Sequence, residues 1–474
     1  MKNARADYLI VGNGTAAVAA IEAIRARDLG GTITLLSKEP YPAYSRPLIS
    51  YFLAGYIGED RMWMRPLDYY GSMGVDARLG TEATGVDTSR KAVLTAEDGG
   101  IEYGSLLVAT GGSPFIPKIE GIAPLTPGPK RAGPEAGRPS PPRSRRGGEG
   151  DAVGRAGVAG LSSPGLAEGV FTFTTLDDAK AIGEYLSLRG PERALVIGAG
   201  LIGVKAAEAL RARGVQVTMV ELADRVLPLA LDTTGSRLAA AAMKAMGVEP
   251  VCGTAVRRVK RKAGRVVSAS TADGREIPCG MVVVAAGVTP EVGLLKDGSV
   301  PSDRKGIPVN LRCETAVSGI FAAGDAARGD DCVAGGSRAI PIFPNAWRQG
   351  AVAGTNMAGG DVKADRLHAM NSVVVFGLPT ISIGQATATG PGYRELARLD
   401  QKAGTYRRIV LKEGRVVGAL FTGDIRRAGI LTGLIREQVE VDGLEDLLLN
   451  GDLGLLSLPS DYRKHVVAGE GIEV

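Results

Sequence analysis

One pattern occurs twice in this chain, and it restricts the possible folds more than any other feature. In each copy, at residues 7–38 and 194–221, an apolar strand meets a glycine-rich turn, a helix with small apolar residues follows, and a second apolar strand ends the unit. Strands joined through a helix in this way lie parallel in one sheet, and helices cover its faces. The repeat therefore predicts an α/β fold with two three-layer, Rossmann-like domains.

The two glycine turns have the composition that a dinucleotide site requires. The first glycine permits a tight bend, the second leaves room for a pyrophosphate at a helix N-terminus, and a small third residue lets helix and strand pack closely. A single motif is weak evidence, but both copies have the strand–turn–helix context that it needs. The predicted contacts are Gly12, Gly14, Thr15, Ala16 and Ala17 at the first site, and Gly198, Gly200, Leu201, Ile202 and Gly203 at the second.

An acidic residue at the end of the second strand usually holds the ribose hydroxyls. In the second unit this residue is Glu221, and a carboxylate there repels a 2′-phosphate, which favours NADH over NADPH. Arg225 lies close by in sequence and weakens that preference. In the first unit the strand ends with Ser37, Lys38 and Glu39, of which Glu39 is the acidic candidate.

Composition excludes several other classes of site. The four cysteines are scattered, and with only two histidines no metal site is expected. No apolar run approaches the ~20 residues that span a membrane. No secretory signal is evident either, so the cytoplasm is the expected compartment. The net charge of +5 does not by itself indicate nucleic-acid binding, and none is expected.

The rest of the chain divides by composition. Residues 122–166 are dense in Pro, Gly, Arg and Ser without apolar periodicity, which predicts a disordered insertion. A solvated loop is the simple interpretation, and contact with nucleic acid or an acidic partner through Arg143, Arg145 and Arg146 is the alternative. Strand-like and helical patterns in the last hundred residues predict a separate, small α+β domain. The strands are expected at 372–376, 380–383, 406–411 and 416–421, and the helices at 429–438 and 444–449.

Five further segments are together more specific than either glycine motif. They are PYPAYSRPLIS at 40–50, LLVATGGSP at 106–114, AAGVTPE at 285–291, GIFAAGDAA at 319–327 and PNAWRQGAVAGTNMAG at 344–359. With the glycine turns, they resemble the FAD-dependent pyridine nucleotide-disulfide oxidoreductase family, the flavoproteins with two dinucleotide-binding domains. The resemblance covers nearly everything except the insertion. It implies FAD at the first glycine turn and NAD(H) at the second.

The resemblance also implies roles for single residues. Arg46 would reach the FAD pyrophosphate, Asp325 would bond a ribityl hydroxyl, and the positive N-terminus of the helix at 344–359 would stabilise the reduced flavin. Gly287 is expected at the nicotinamide nucleotide. The FAD contacts expected in these segments are Arg46, Pro47, Ala109, Thr110, Gly111, Gly324, Asp325, Asn345 and Trp347.

Domain boundaries follow from the same resemblance. An FAD-binding domain is expected at residues 1–121 and 287–366, and an NAD-binding domain at 167–286, with the insertion between them. Residues 367–474 would form the family's small interface domain. That domain builds dimers or docks partners in relatives, so a homodimer is one assembly that the sequence allows.

The position of the cysteines separates branches of the family. Residues 1–251 contain no cysteine, so no thiolate can attack a disulfide or store a sulfenate beside the flavin. What remains resembles the ferredoxin and rubredoxin reductases and the flavin modules of nitrite reductase. In those proteins hydride passes from nicotinamide to flavin, and electrons leave to an iron–sulfur or similar carrier protein. No CxxC cluster occurs here, so any such centre would lie on another polypeptide.

One departure from the family concerns a cation beside flavin N5. Relatives often have a lysine at the end of the first of these loops, and residues 40–50 contain none. Lys205 occupies the position of that lysine's usual acidic partner, so we expect it to supply the cation from the nucleotide domain. A solvated helix residue is the competing interpretation of Lys205.

The leading hypothesis is therefore an NADH-dependent flavoprotein oxidoreductase that exchanges electrons with a ferredoxin- or rubredoxin-like protein. An NADH oxidase is the alternative enzyme, disfavoured by the missing cysteine. An electron-transfer subunit that is inactive without its complex is the alternative from another class.

Overall fold

The computed structural model describes residues 4–96, 100–123, 162–331, 333–364, 368–450 and 454. Residues 124–161 of the predicted insertion, with Arg143, Arg145 and Arg146, lie outside these ranges. The described ends of the insertion meet, because the Ala167 backbone N–H donates to the Ile122 carbonyl at 2.9 Å. The chain therefore leaves and re-enters the described part at adjacent points.

The first glycine turn lies in a mostly parallel sheet. In chain order, the elements are β1 (Ala4–Val11), α1 (Thr15–Arg25), β2 (Ile33–Ser37), α2 (Ile49–Ala54), α3 (Tyr69–Ser72), β3 (Val75–Leu79), β4 (Ala83–Asp87), β5 (Ala92–Thr95), β6 (Ile101–Val108) and β7 (Gly112–Pro114). The strand order is β3–β2–β1–β6–β5–β4, and β3, β2, β1 and β6 are parallel. Six consecutive small or apolar residues of α1, 16–21, are buried, so this part of the helix is enclosed on all sides and lies close to the sheet.

The second glycine turn lies in another parallel sheet. The elements are β8 (Val170–Thr172), α4 (Leu176–Arg189), β9 (Arg193–Ile197), α5 (Leu201–Ala212), β10 (Gln216–Glu221), α6 (Thr233–Ala245), β11 (Val248–Cys252), β12 (Val256–Lys262), β13 (Arg265–Thr271), β14 (Glu276–Pro278) and β15 (Met281–Val284). The parallel order is β11–β10–β9–β15–β8, while β12, β13 and β14 form a separate antiparallel ribbon. Met281–Val284 is buried throughout, as expected of a central parallel strand.

The chain then returns to the first sheet. The elements are β16 (Val288–Pro290), β17 (Ile307–Pro308), β18 (Ile320–Ala322), β19 (Ala327–Asp330), β20 (Ser337–Arg338) and α7 (Phe343–Met357). β16 pairs with β7 between the two halves, and β18 joins the first sheet beside β6. α7 crosses α1 so closely that a Cβ on Gly350 would lie 2.1 Å from the Ala16 carbonyl oxygen. The contact of these two helices therefore requires glycine.

The C-terminal part is an α+β unit, as the sequence predicted. Its elements are β21 (Met370–Val375), β22 (Leu378–Gly384), β23 (Tyr393–Asp400), β24 (Thr405–Lys412), β25 (Arg415–Thr422), α8 (Ala428–Glu437) and α9 (Glu445–Asn450). The antiparallel order is β21–β22–β25–β24–β23. The strand at β23 was not predicted, because this edge strand is largely exposed and its few apolar residues are divided between its two faces.

Among the residues that the structure describes, no helix is long and apolar enough to cross a membrane. Over the same residues, no cluster of three or more His, Cys, Asp or Glu side chains could hold a metal ion.

Candidate functional site

The first glycine of each turn lies against the residue that directly follows the neighbouring parallel strand, β6 or β15. Gly12 has φ +108°, and a Cβ there would lie 2.1 Å from the Ala109 carbonyl oxygen. Gly198 has φ +102°, and its Cβ would lie 2.4 Å from the Ala285 oxygen. Both the backbone angle and the close approach exclude any other residue. The structure thus brings Ala109 to the predicted first site.

The second glycine of each turn faces open space. A Cβ on Gly14 or Gly200 would meet no atom within 4 Å. These residues are the N-caps of α1 and α5, and neither helix has a side-chain cap. By contrast, Thr175 caps α4 and Asp232 caps α6. The first N–H groups of α1 and α5 are therefore left for an external anion, as a nucleotide pyrophosphate would provide.

The third position of each turn is a small residue that lets the helix approach its neighbours closely, and this residue is glycine in the second unit and alanine in the first. A Cβ on Gly203 would lie 2.0 Å from the Gly198 carbonyl oxygen, so α5 needs glycine there. In the first unit Ala17 is completely buried, and Ala16 contacts α7 through Gly350. The small residues predicted at these positions thus fill contacts between elements.

Glu221 ends β10 beside the second turn. Its carboxylate accepts hydrogen bonds from the Ala199 backbone N–H at 2.7 Å and from the Ala223 N–H at 2.9 Å. Arg225 is directed elsewhere, to Asp224 at 2.8 Å. The carboxylate is therefore fixed at the rim of the glycine turn, where a ribose would lie.

The acidic candidate of the first unit lines a small pocket together with Asn13, Gly14, Ser37, Tyr41, Pro42, Tyr44 and Arg46. Glu39 accepts from the Tyr44 hydroxyl and pairs with Arg46, both at 2.5 Å, while the Ser37 hydroxyl donates to the Glu39 carbonyl. Arg46 also donates to the Thr174 carbonyl at 2.7 Å. Pro47 follows it in a single 3-10 turn.

Lys38 lies apart from that pocket. Its ammonium forms an exposed ion pair with Glu82 at 2.8 Å. The structure therefore brings Ser37, Glu39 and Arg46 together and directs the Lys38 ammonium to the surface.

The β7–β16 pair connects the two chain segments of the first half, next to three of the predicted contacts. Thr110 donates its hydroxyl proton to the Glu291 carbonyl at 2.5 Å, and the Ser113 hydroxyl bonds the Glu291 carboxylate. Gly111 and Gly287 have positive φ values of +74° and +115°, and a Cβ on either would meet no atom within 4 Å. Glu291 joins the two chain segments of the first half, and no role was predicted for it although it ends the segment AAGVTPE.

The N-terminus of α7 provides polar groups without partners. α7 has no side-chain cap, and the Nδ2 group of Asn345 is buried and unpaired among the described residues. The neighbouring Trp347 ring lies under the Arg65 guanidinium at 5.3 Å. Such a buried donor normally has an acceptor. A flavin ring, which is rich in acceptors, fits this position.

Asp325 follows Gly324 in a 3-10 turn close to the same region. Burial raises the pKa of the Asp325 carboxyl, and the Arg46 guanidinium acts in the opposite direction. The Gly324 N–H donates to the Gln349 side chain at 2.9 Å, which fixes the turn to α7. The carboxyl is thus available to a hydroxyl-bearing ligand.

Lys205 contacts the C-terminal unit. Its ammonium pairs with Glu208 at 2.6 Å and donates to the Val374 carbonyl at 2.7 Å. Glu208 in turn accepts from the Phe376 backbone N–H at 2.6 Å. The structure therefore gives this lysine two partners that the sequence did not reveal, and its role beside a flavin stays a prediction.

The described cysteines are unsuited to thiol chemistry. Burial raises the pKa of Cys279 and of Cys313 to about 12, and it also raises the pKa of Cys252. Cys332 lies outside the described residues. A thiolate is therefore disfavoured at all three described positions.

Comparisons with known proteins agree with this geometry. The family model described as "Pyridine nucleotide-disulphide oxidoreductase" matches residues 6–139 and 152–350, and "Rubredoxin NAD+ reductase C-terminal domain" matches residues 370–439. The epsilon subunit of an NADH-dependent phenylglyoxylate dehydrogenase from Aromatoleum evansii is 28% identical, over 94% of this chain and 96% of that protein.

Two further proteins are similar over much of their length. The ferredoxin reductase subunit of a 5,5'-dehydrodivanillate O-demethylase from Sphingobium sp. is 30% identical, over 70% of each chain. The structure of an NAD-dependent persulfide reductase from A. fulgidus superposes with a TM-score of 0.76 at 26% identity, over 92% of this chain and 78% of that one. The chain belongs to the pyridine nucleotide-disulphide oxidoreductase family and is an FAD-dependent NAD(P)H oxidoreductase.

Proposed function

We propose that this chain takes electrons from NADH through FAD and delivers them to a separate electron-carrier protein. The observation that supports this most directly is the pair of uncapped helices, α1 and α5, each behind a glycine turn. One turn lies in each half, and the β7–β16 pair lies where the chain passes from the first half to the second and back again. When bound, the flavin supplies two-electron uptake from nicotinamide and release of electrons singly or in pairs.

The residues of the first half would bind and orient FAD. We assign the pyrophosphate to the N-terminus of α1, a ribose to Glu39, and the ring end to Asn345 and the N-terminus of α7. The set predicted to bind FAD is Gly12, Gly14, Thr15, Ala16, Ala17, Ser37, Lys38, Glu39, Arg46, Pro47, Ala109, Thr110, Gly111, Gly324, Asp325, Asn345 and Trp347. Within it, Ala17 and Lys38 would contribute through the backbone, because the Ala17 side chain is buried and the Lys38 ammonium pairs with Glu82. The fit rests on the open space at Gly14 and the unpaired Asn345 amide.

The residues of the second half would bind the nicotinamide nucleotide. The set is Gly198, Gly200, Leu201, Ile202, Gly203, Glu221 and Gly287. Glu221 supports NADH over NADPH, because a fixed carboxylate at the ribose repels a 2′-phosphate. We retain the domain boundaries 1–121 with 287–366, 167–286 and 367–474 as part of this proposal.

A protein acceptor is supported by the C-terminal unit and by the cysteines. Residues 370–439 match the domain that ends rubredoxin reductases, and a similar relative is a ferredoxin reductase subunit. The raised pKa values of Cys279 and Cys313 disfavour a thiol as an electron relay. A carrier with an iron–sulfur or similar centre is therefore the proposed acceptor class.

The test is an anaerobic assay of the FAD-loaded protein with NADH and either rubredoxin or a [2Fe–2S] ferredoxin. We expect the carrier's visible absorbance to report reduction by NADH, with buffer lacking the flavoprotein as control. Reduction of neither carrier, while ferricyanide is reduced rapidly, would rule out these two acceptors and the proposed acceptor class with them.

A subunit of a larger redox complex is the second candidate. Its support is the similarity to the phenylglyoxylate dehydrogenase epsilon subunit along nearly the full length of both chains. This candidate predicts that neither a free carrier nor ferricyanide is reduced at an appreciable rate by the isolated chain. Rapid turnover of the isolated protein with ferricyanide would exclude it.

A further inference from the structure

The antiparallel ribbon β12–β13–β14, residues 256–278, carries charges that no function proposed above uses. We call it the basic ribbon. Six of the ten residues from 256 to 265 are Lys or Arg, and none of them is acidic. The ribbon belongs to the half that contains the second glycine turn, and its sequence was not singled out by any motif.

One face of the basic ribbon is part of the protein core. Val256, Val259, Val266, Ala269 and Ile277 are buried in a cluster with strands of the parallel sheet. The backbone of residues 120 and 121 lies along β12, since the Val259 N–H donates to the Glu120 carbonyl at 2.7 Å. The ribbon is therefore held rigidly and presents its other side chains in fixed positions.

Two of the six cations are neutralised within the protein. Arg258 pairs with Glu120 at 3.2 Å, and Lys260 pairs with Glu276 at 2.6 Å. Arg257, Lys262 and Arg265 are exposed, and no ion pair is formed by them with any residue that the structure describes. Three free positive charges thus remain on one short hairpin.

The tip of the hairpin brings like charges together. Lys262 lies directly opposite Arg265 across a two-residue turn of Ala263 and Gly264, both with positive φ. Like charges at such a pair destabilise a hairpin. The adjacent Arg261 donates to the Gly264 carbonyl, but its Nε is buried without a partner in the described structure. Within the described residues, no carboxylate offsets this arrangement, which is typical of a surface selected for binding.

We propose that the basic ribbon is a docking surface for a protein partner with a carboxylate-rich patch. Carboxylates opposite Arg257, Lys262 and Arg265 would remove the repulsion at the tip and give register and a fast association rate. A nucleic acid fits less well. Residues 256–278 contain no aromatic side chain on which bases could stack, and Glu120 and Glu276 lie among the cations. This inference does not depend on the flavin chemistry.

The test compares two triple charge reversals of the full chain loaded with FAD. The ribbon variant is R257E/K262E/R265E. The control variant is K296E/R304E/K305E, which changes the net charge equally at three exposed residues of the other half. The probes are fluorescein-labelled poly-L-glutamate and a labelled single-stranded DNA 20-mer, each titrated at several salt concentrations. The basic residues of 124–161 are the same in both variants, so any contribution they make to probe binding does not affect the comparison.

We expect the ribbon variant to bind poly-L-glutamate about tenfold more weakly than the wild type with a reduced salt dependence, and the control variant to change less than about threefold. Equal losses in the two variants would show that only net charge matters and would overturn the proposal. A ribbon-dependent loss confined to DNA would assign the surface to nucleic acid instead and would also overturn it. Thermal unfolding and flavin content verify that both variants are folded.

Discussion

The two glycine turns are alike locally and differ in what surrounds them. In the second half, Glu221 bonds the backbone of its own turn at Ala199. In the first half, Glu39 bonds the side chains of Tyr44 and Arg46, and Arg46 reaches across to Thr174. Glu221, the proposed nicotinamide-side acid, thus belongs to a self-contained motif, whereas Glu39, the proposed flavin-side acid, depends on residues from both halves.

The helices behind the turns differ in the opposite sense. α1 packs on α7 through Gly350 and Gly354, which approach the Ala16 and Ala20 carbonyls. α5 contacts α2, and its Lys205 and Glu208 reach the C-terminal unit. The helix of the first turn is therefore held by another helix of its own half. The helix of the second turn is linked to the C-terminal unit, which is the domain proposed to meet a partner. Substitutions in each half test this difference between the two turns.

The largest effect is expected for Gly350→Val. Its side chain would clash with the Ala16 carbonyl and push α7 from α1, which we expect to lower the free energy of unfolding by about 3 kcal/mol and to abolish FAD retention. Urea unfolding and flavin content measure both. Gly183→Ala, in open space on α4, is the matched control and should be neutral or stabilising by ~0.5–1 kcal/mol. Retention of FAD by the valine variant would contradict the helix contact.

A pair of isosteric changes compares the two acids. Glu221→Gln removes a charge that holds two backbone N–H groups, so we expect about tenfold weaker NADH binding with FAD content unchanged. Glu39→Gln should weaken FAD by a smaller factor, about threefold, because Tyr44 and Arg46 can find other partners. Fluorescence titration with each nucleotide gives the dissociation constants of NADH and FAD. If each variant lost both nucleotides equally, the separate assignment would be wrong.

The burial of Asp325 at the first site can be tested through the pH dependence of stability. Its pKa is raised in the folded protein, chiefly by burial, so the folded state binds more protons than the unfolded state above the ordinary aspartate value. The stability of flavin-free protein should therefore fall as pH rises from about 4 through the raised pKa. Asp325→Asn should flatten that slope in urea unfolding. An unchanged slope would show that Asp325 is solvated.

The smallest effect is expected for Lys205→Ala. If its ammonium acts on the flavin, flavin reduction by NADH should slow by about threefold, a modest factor because Glu208 already offsets the charge. Stopped-flow absorbance measures the rate, and Lys244→Ala, which removes an ion-paired lysine of α6, is the control. An unchanged rate and flavin potential would restrict Lys205 to its contact with the C-terminal unit.

Sequence patterns predicted the parts of this fold that local periodicity determines. The two strand–turn–helix units and four strands of the C-terminal unit follow from apolar spacing alone. The basic ribbon was missed because charged residues dominate its exposed positions, and β23 was missed because its few apolar residues are divided between its two faces. The contact of Lys205 with Val374 joins residues 169 positions apart, and only packing of the domains determines such a pair.

The most direct test of the central claim is an anaerobic titration of the FAD-loaded protein with NADH and, separately, NADPH, followed by the flavin absorbance band. We expect NADH to bleach the band near stoichiometry and NADPH to require a much higher concentration, because the Glu221 carboxylate lies at the proposed ribose site. Bleaching by NADPH at the lower concentration would contradict the role of Glu221. An oxidised flavin that neither nucleotide bleaches would contradict the claim that the two glycine turns form one electron path.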